Sequence, residues 1–373
     1  MDEKFEIKKT TLEEKTKKMI TASEKLSVDG LISHKKQHGP GGIDPKVYHT
    51  PEHLLALERY EAKIAKALKL SPEQRALIKI AIARHDLVIE YDEANPNDIL
   101  AMIRRYRGAR EGDEPKSTKG NEGESGRLTR EEMLKANEQA GEEIFSKEQI
   151  DNVVWAIDAT YPDVKFGAVF KEYPYYKIVT KQNPALEEMF IKLEKAGIVK
   201  GSLFFQPHLE GPLEKGELVP REVLVTALVD LGAAGLADNR EFYKSGDDEM
   251  RELYGNLRLP EVMERLVNGD NEEDKNDRAR ATSVFLEWLD SQPGFVAWQA
   301  LRFEKIRYLL KKQNGINEDE EKKLREQFSH YPDNLSATLN RALKLREQVG
   351  TTKKEKGEKL AFLYIAREMG YEF

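Results

Sequence analysis

The chain has 373 residues, a formal net charge of −7 and no cysteine. This length allows one large domain or two smaller ones, and the missing cysteine excludes disulfides, thiolate metal ligands and a thiol nucleophile. Any metal site must therefore be built from histidine, aspartate, glutamate and water.

Neither the N-terminus nor the apolar runs indicate a secreted or membrane protein. Residues 1–19 alternate acidic and basic side chains without the apolar stretch of a secretory signal. The longest apolar run, residues 223–237, is shorter than the roughly 20 residues that cross a bilayer. We therefore expect a cytoplasmic protein with no membrane partner, and the acidic balance does not favour nucleic acid as a partner.

Helix signals dominate the chain from the N-terminus onward. Residues 71–74, Ser-Pro-Glu-Gln, form a capping box with proline at the first helical position and predict a helix that runs to His85. Residues 146–149, Ser-Lys-Glu-Gln, predict a second helix start, and Pro220 predicts a third. The best strand pattern covers only residues 201–205, so we predict an all-α protein.

Three other stretches have no such clear start signal. Residues 108–127 are rich in glycine, proline and charge, and predict a long loop or a lid. Residues 161–220 contain many prolines and an aromatic cluster, and predict irregular cover over the helices. Beyond about residue 310 the chain is strongly charged and helix-forming, which predicts a peripheral helical extension.

Three of the seven histidines fall in two short motifs. His49 and His53 stand four residues apart in Tyr-His-Thr-Pro-Glu-His, and the next predicted helix ends in the pair His85-Asp86. Apolar residues at helical spacing beside both motifs predict that these side chains point into one core. Imidazoles and a carboxylate gathered in a buried place predict a site for a divalent metal. We interpret the other histidines as structural, with His208 as a loop residue that could reach substrate; they stand at positions 34, 38, 208 and 330.

The pattern Y-H-x-x-x-H followed by His-Asp resembles the HD superfamily of metal-dependent phosphohydrolases. It is similar to a branch of small predicted hydrolases and also to the cyclic-nucleotide phosphodiesterases, over about residues 45–260. The resemblance implies an HD-type helical bundle with His49 as the proton donor and His53, His85 and Asp86 as metal ligands. It implies one or two divalent ions as cofactor, whether manganese, magnesium, cobalt, nickel, iron or zinc.

The family pattern also implies a fourth ligand, an aspartate on a later helix. Asp230 is the first choice, because the small residues that follow it let helices approach closely while one carboxylate points inward. Asp158 and Asp238 are the alternatives. The helix of Asp158 resembles one that carries no ligand at that position in the family, and Asp238 stands two turns beyond Asp230.

Two further elements predict contacts with substrate. The same family branch carries N-E-x-x-S soon after His-Asp, which residues 121–125 match in full, so Glu122 becomes a candidate; Asn137 begins a partial match. Arg104 and Arg105 belong to a basic run that could hold a phosphate by bidentate hydrogen bonds. The alternative for this run is a solvated face that pairs with neighbouring carboxylates.

These patterns predict three segments and one activity. The segments are an N-terminal helical or flexible segment at 1–40, an HD-like hydrolase domain at 41–310 that carries long irregular insertions, and a charged helical extension at 311–373. The activity implied is hydrolysis of a small phosphorylated molecule, such as a nucleotide, by a metal-activated water. Two alternatives stay open, an HD fold that has lost catalysis and binds a nucleotide or a protein, and a di-iron oxygenase.

Overall fold

The computed structural model describes residues 2–90, 98–102, 120–313 and 315–373. Most of these residues are helical, which confirms the all-α class. No helix in this part of the chain is long and apolar enough to cross a membrane. The elements up to β1 are α1 (Asp2–His38), α2 (Pro51–Ala67), α3 (Pro72–Arg84), α4 (Gly120–Ala140), α5 (Lys147–Asp158) and β1 (Asp163–Val169). The middle elements are α6 (Tyr176–Gln182), α7 (Pro184–Lys195), β2 (Lys200–Phe205), α8 (Pro207–Glu214), α9 (Arg221–Asp230) and α10 (Ala233–Leu236). The last elements are α11 (Asn239–Leu253), α12 (Pro260–Asn268), α13 (Glu272–Lys312), α14 (Glu318–Gln327), α15 (Tyr331–Lys356) and α16 (Glu358–Glu368).

The helix α3 lies at the centre of the N-terminal bundle. It contacts α1, α2, α5 and α9. Ile78, Ile80 and Ile82 are each 0% exposed, although Ile80 points to the side of the helix opposite to Ile78 and Ile82. A helix that is apolar on most of its circumference needs neighbours on every side. The central position of α3 therefore follows from its own sequence.

The predicted helix starts are confirmed at atomic detail. The Ser71 hydroxyl accepts the N–H of Gln74, and the Gln74 side chain accepts the N–H of Ser71. Ser146 and Gln149 form the same reciprocal pair at the start of α5. Pro220 is the N-cap residue of α9. Local hydrogen bonds of this kind need only neighbouring residues, so they could be predicted from the sequence.

The prediction of irregular cover over residues 161–220 is wrong. This segment contains α6, α7, α8 and an antiparallel pair of short strands, β1 and β2. Strand β2 packs on α13, where Gly201 lies against the indole of Trp298. A Cβ at position 201 would lie 2.7 Å from Trp298 Cδ1, so only glycine fits there without a shift. The alternation along β1 is hidden by an irregularity between Lys165 and Ala168, which breaks the period of two.

The loop predicted at residues 108–127 is wrong for its last eight residues, 120–127. The helix α4 begins at Gly120, whose φ of 81° is readily adopted by glycine. The part of that predicted loop before Gly120 lies outside the described residues. Helix α4 packs against α5, which brings residues 121–125 close to the end of α3.

The C-terminal helices enclose a second core. The 41-residue helix α13 extends beside α15 and α16. Phe285 of α13 and Phe362 and Ile365 of α16 are each 0% exposed and belong to one apolar cluster. The helical prediction for this region is confirmed, but these helices also supply core residues to α13. The division of the chain at residues 40 and 310 stays a prediction, and α13 continues across the second of these positions.

Candidate metal centre

Three helix ends meet at the candidate centre. His53 lies in the first turn of α2, His85 is the C-cap residue of α3, and Asp230 is the last residue of α9. These three helices contact one another in the bundle. Asp86 follows His85 directly and is 1% exposed. Residues far apart in the sequence therefore reach one buried place because their helices end there.

The side chains at this place lie at distances that suit shared coordination. One ligand atom from each of His53, His85 and Asp230 lies within 4.8 Å of the others. His85 Nε2 lies 3.3 Å from Asp230 Oδ1 and 2.9 Å from Asp86 Oδ2. His53 Nε2 lies 4.0 Å from Asp86 Oδ2. His53, His85 and Asp230 thus form one group between α2, α3 and α9, and Asp86 lies beside this group, close to both histidines.

This group is the one cluster of three or more potential metal ligands among the residues that the structure describes. Of the three aspartates considered as the fourth ligand, the cluster contains Asp230 and neither Asp158 nor Asp238. Asp238 instead caps α11, where its carboxylate accepts the N–H of Glu241 at 2.9 Å. Asp158 lies at the end of α5, near Gly126 of α4. The geometry therefore selects Asp230 from the three aspartates.

The orientation of the His85 ring is set by the backbone of its own helix. Its Nδ1 lies 2.9 Å from the carbonyl oxygen of Ile82 and donates to it. That bond directs Nε2 toward Asp86 and Asp230 and leaves it as the atom available to an ion. A second hydrogen bond that fixes the tautomer and the ring orientation is a usual feature of histidine ligands.

Electrostatics at the centre favour positive charge. Burial lowers the pKa of His85, but the carboxylates of Asp86 and Asp230 outweigh burial and hold it well above the ordinary value. Burial lowers the pKa of His53 to about 4, against the opposing effect of Asp86, so this ring is neutral near pH 7. Two carboxylates beside a buried imidazole attract either a proton or a metal cation. The donor set of two imidazoles and two carboxylates therefore fits a divalent cation.

His49 lies just before α2 and is held by a glutamate from a distant helix. Its Nδ1 lies 2.5 Å from Glu252 Oε1. The other carboxylate oxygen of Glu252 accepts the backbone N–H groups of Val47, Tyr48 and His49, at 2.9, 2.7 and 3.2 Å. Glu252 is 3% exposed and lies in the last turn of α11. One buried carboxylate thus fixes both the His49 ring and the loop that carries it.

Sequence reasoning missed Glu252. A weak signal existed, because Ser245, Glu249 and Glu252 recur at helical spacing on one face of α11. Tyr48 bonds to Ser245, and its ring centre lies 4.7 Å from that of His53. This face of α11 therefore closes the side of the centre that lies next to the His49 loop.

The segment Asn121 to Ser125 packs on the chain that follows His85-Asp86. The Asn121 side chain accepts the N–H of Glu90 and donates to its carbonyl oxygen, and the Ser125 hydroxyl accepts the N–H of Val88. Asn137, the partial match, instead binds the backbone of Phe145. Residues 121–125 are thus the copy of the motif that lies near the centre.

Glu122 is 3% exposed and does not belong to the metal cluster. Burial lowers the pKa of His208, and the negative charge of the Glu122 carboxylate opposes this shift. These two side chains lie close enough to interact, so His208 and Glu122 share a neighbourhood. Arg104 and Arg105 fall outside the described residues.

Comparison with known proteins adds no relative. No family model matches the chain, and the searches of curated proteins and of solved structures gave no significant match.

Proposed function

We propose that this protein is a metal-dependent phosphohydrolase that acts on a small phosphoester through the centre formed by His53, His85, Asp86 and Asp230. One observation carries the proposal. Ligand atoms of His53, His85 and Asp230 lie within 4.8 Å of one another in the only such cluster of the described residues. The order of these residues along the chain is the one that resembles the HD superfamily.

The donor set supports a hard or borderline divalent cation. His53 and His85 would supply nitrogen, and Asp86 and Asp230 would supply oxygen. A chain without cysteine offers no thiolate to a softer ion. When bound, a divalent cation polarises phosphoryl oxygens and activates water at neutral pH.

His49 is the proposed proton donor to the leaving oxygen. Its ring centre lies 5.9 Å from that of the ligand His53, so the donor and the centre are neighbours. The bond to Glu252 engages Nδ1, which assigns proton transfer to Nε2. The carboxylate at Nδ1 keeps the ring in one orientation, which a general acid requires.

Metal content and turnover test this proposal together. Purified protein is stripped with chelator, reloaded separately with manganese, cobalt, nickel, zinc, iron and magnesium, and analysed by mass spectrometry for bound metal. Each form is then assayed with p-nitrophenyl phosphate, bis-p-nitrophenyl phosphate and a panel of nucleotides. We expect bound metal and turnover of at least one phosphoester.

Two substitutions at neighbouring aspartates separate the centre from general effects. Asp230→Asn removes a charged ligand, and we expect loss of bound metal and at least a hundredfold loss of turnover. Asp238→Asn is the matched control, because asparagine caps a helix as well as aspartate does. A folded Asp230→Asn protein with full metal content and full activity would overturn the assignment. Bound metal without turnover over the whole panel would favour the binding-module alternative.

A further inference from the structure

Helix α1 brings two buried histidines next to the candidate centre. His34 and His38 are 1% and 2% exposed, and they stand one helical turn apart on α1. Helix α1 packs along α3, the helix that ends in His85. Neither histidine belongs to the motifs described above, and neither has a role in the proposed chemistry so far.

Three of the four ring nitrogens of His34 and His38 have no hydrogen-bond partner among the described residues. His38 Nδ1 lies 3.1 Å from the carbonyl oxygen of Asp44 and donates to it, so Nε2 carries a lone pair. Among the described residues, neither His38 Nε2 nor either ring nitrogen of His34 has a hydrogen-bond partner. A buried polar atom without a partner costs about 1–3 kcal/mol, so native proteins rarely keep several together without a reason.

The spacing of the two rings suits one shared ion. Their centres lie 5.1 Å apart, with the ring planes inclined at 65°. Two imidazoles that bind one tetrahedral ion through nitrogens at about 2.1 Å have ring centres roughly 5 Å apart. Histidines four residues apart on a helix are a common source of such pairs. Because both His34 nitrogens lack a partner, either one could face the ion.

Asp86 is the largest of the charges that act on His34, and it favours a cation there, whereas the neighbouring histidines His38, His85 and His49 oppose it. Burial lowers the pKa of both rings, and the carboxylate of Asp86 opposes this effect at each of them. The ammonium of Lys46, which also acts on His38, forms an ion pair with Asp44 at 2.7 Å. Asp86 therefore supplies negative charge to the pair from the side of the candidate centre, and the nearby lysine is balanced by its own carboxylate.

We propose that His34 and His38 hold a second divalent cation beside the first one. The described residues give this position two side-chain ligands, so water or the phosphoryl oxygens of the substrate would complete its coordination. The inference rests on the proposed function for the role of this ion, but the binding of the ion can be measured without any substrate.

Metal stoichiometry tests the pair directly. The full chain is loaded with excess manganese, desalted and analysed for bound metal, and we expect two ions per chain. The variant His34→Gln/His38→Gln should bind one ion per chain and remain folded by circular dichroism. The control His208→Gln/His330→Gln should still bind two. Equal stoichiometry in the wild type and the His34→Gln/His38→Gln variant would overturn the proposal.

A measurement on the wild-type protein covers the case in which the double variant does not fold. Zinc is titrated into protein with nitrogen-15 histidine, and the imidazole resonances are followed by NMR. We expect one ring nitrogen of His34 and one of His38 to move to metal-bound positions during the second equivalent. If they do not move up to saturation, the second site is refuted. That result would leave the first centre intact, and a failure of the phosphoester assays would leave the second ion standing.

Discussion

The substitution Glu252→Gln tests how the His49 loop is held. Glutamine keeps the shape of the side chain and one oxygen that can accept the three backbone N–H groups. It removes the negative charge from a group that is 3% exposed, and it places an amide where the carboxylate now meets His49 Nδ1. The change therefore weakens four contacts without creating a cavity.

The size of the effect follows from the type of these hydrogen bonds. A bond to a charged group contributes about 1.5–3 kcal/mol, and a neutral bond about 0.5–1.5 kcal/mol. Losing the charge therefore weakens each backbone bond by roughly 1 kcal/mol. We expect the free energy of unfolding to fall by about 2–4 kcal/mol, since part of the loss is recovered by relaxation.

Urea unfolding of metal-free protein at pH 7 measures this loss. The matched control is Glu241→Gln on the same helix, because Glu241 pairs with Arg59 at an exposed surface and should contribute less than about 1 kcal/mol. If the phosphoester assay gives turnover, Glu252→Gln should also lower kcat by about 10–100-fold, because the His49 ring is no longer held in one orientation. A variant as stable as the Glu241→Gln control would refute the reasoning.

Three other predictions concern the centre and its supports. Manganese at a hundred times its dissociation constant should raise the free energy of unfolding by about 2.7 kcal/mol in the wild type, and calorimetry should show little effect in Asp86→Asn. Ser125→Ala should cost about 1–2 kcal/mol in urea unfolding, because the N–H of Val88 loses its acceptor. Burial raises the pKa of Glu222, so its stabilising effect is present below the unfolded pKa and is lost as pH rises through the folded pKa. Glu222→Gln should therefore stabilise the protein more at pH 7 than at pH 4 in urea unfolding, and an equal effect at the two pH values would contradict this reasoning.

Local sequence signals predicted the helices around the centre well. Capping boxes at Ser71 and Ser146 depend on side chains three residues apart, and both are confirmed. The stripe that ends in His85 likewise depends only on helical periodicity within α3. The choice of Asp230 needed more than helical periodicity, and the small residues that follow it were the one local feature in its favour. The rest of its support came from the family pattern, which implies an aspartate on a later helix.

The interactions that the sequence did not reveal join distant parts of the chain. Glu252 lies 203 residues from His49, and no rule of spacing connects them. The pairing of β1 with β2 is similarly hidden by the irregularity after Lys165. His34 and His38 were expected to be ordinary structural residues, because an imidazole on an apolar face usually finds a hydrogen-bond partner. In the fold, α1 packs on α3, and neither ring nitrogen of His34 nor His38 Nε2 then has a hydrogen-bond partner among the described residues.

The balance of charge links the candidate centre to the stability of the bundle. Asp86 is 1% exposed and the partly buried Asp230 adds a second carboxylate at the same place, so two negative charges there are costly without positive charge nearby. The raised pKa of His85 means that a proton on this ring supplies part of that charge. A divalent cation would supply all of it and would release the proton from His85, because a ligand nitrogen cannot keep its hydrogen. Metal binding should therefore be coupled to proton release, and the same carboxylates that destabilise the metal-free fold would become the source of its affinity for the ion.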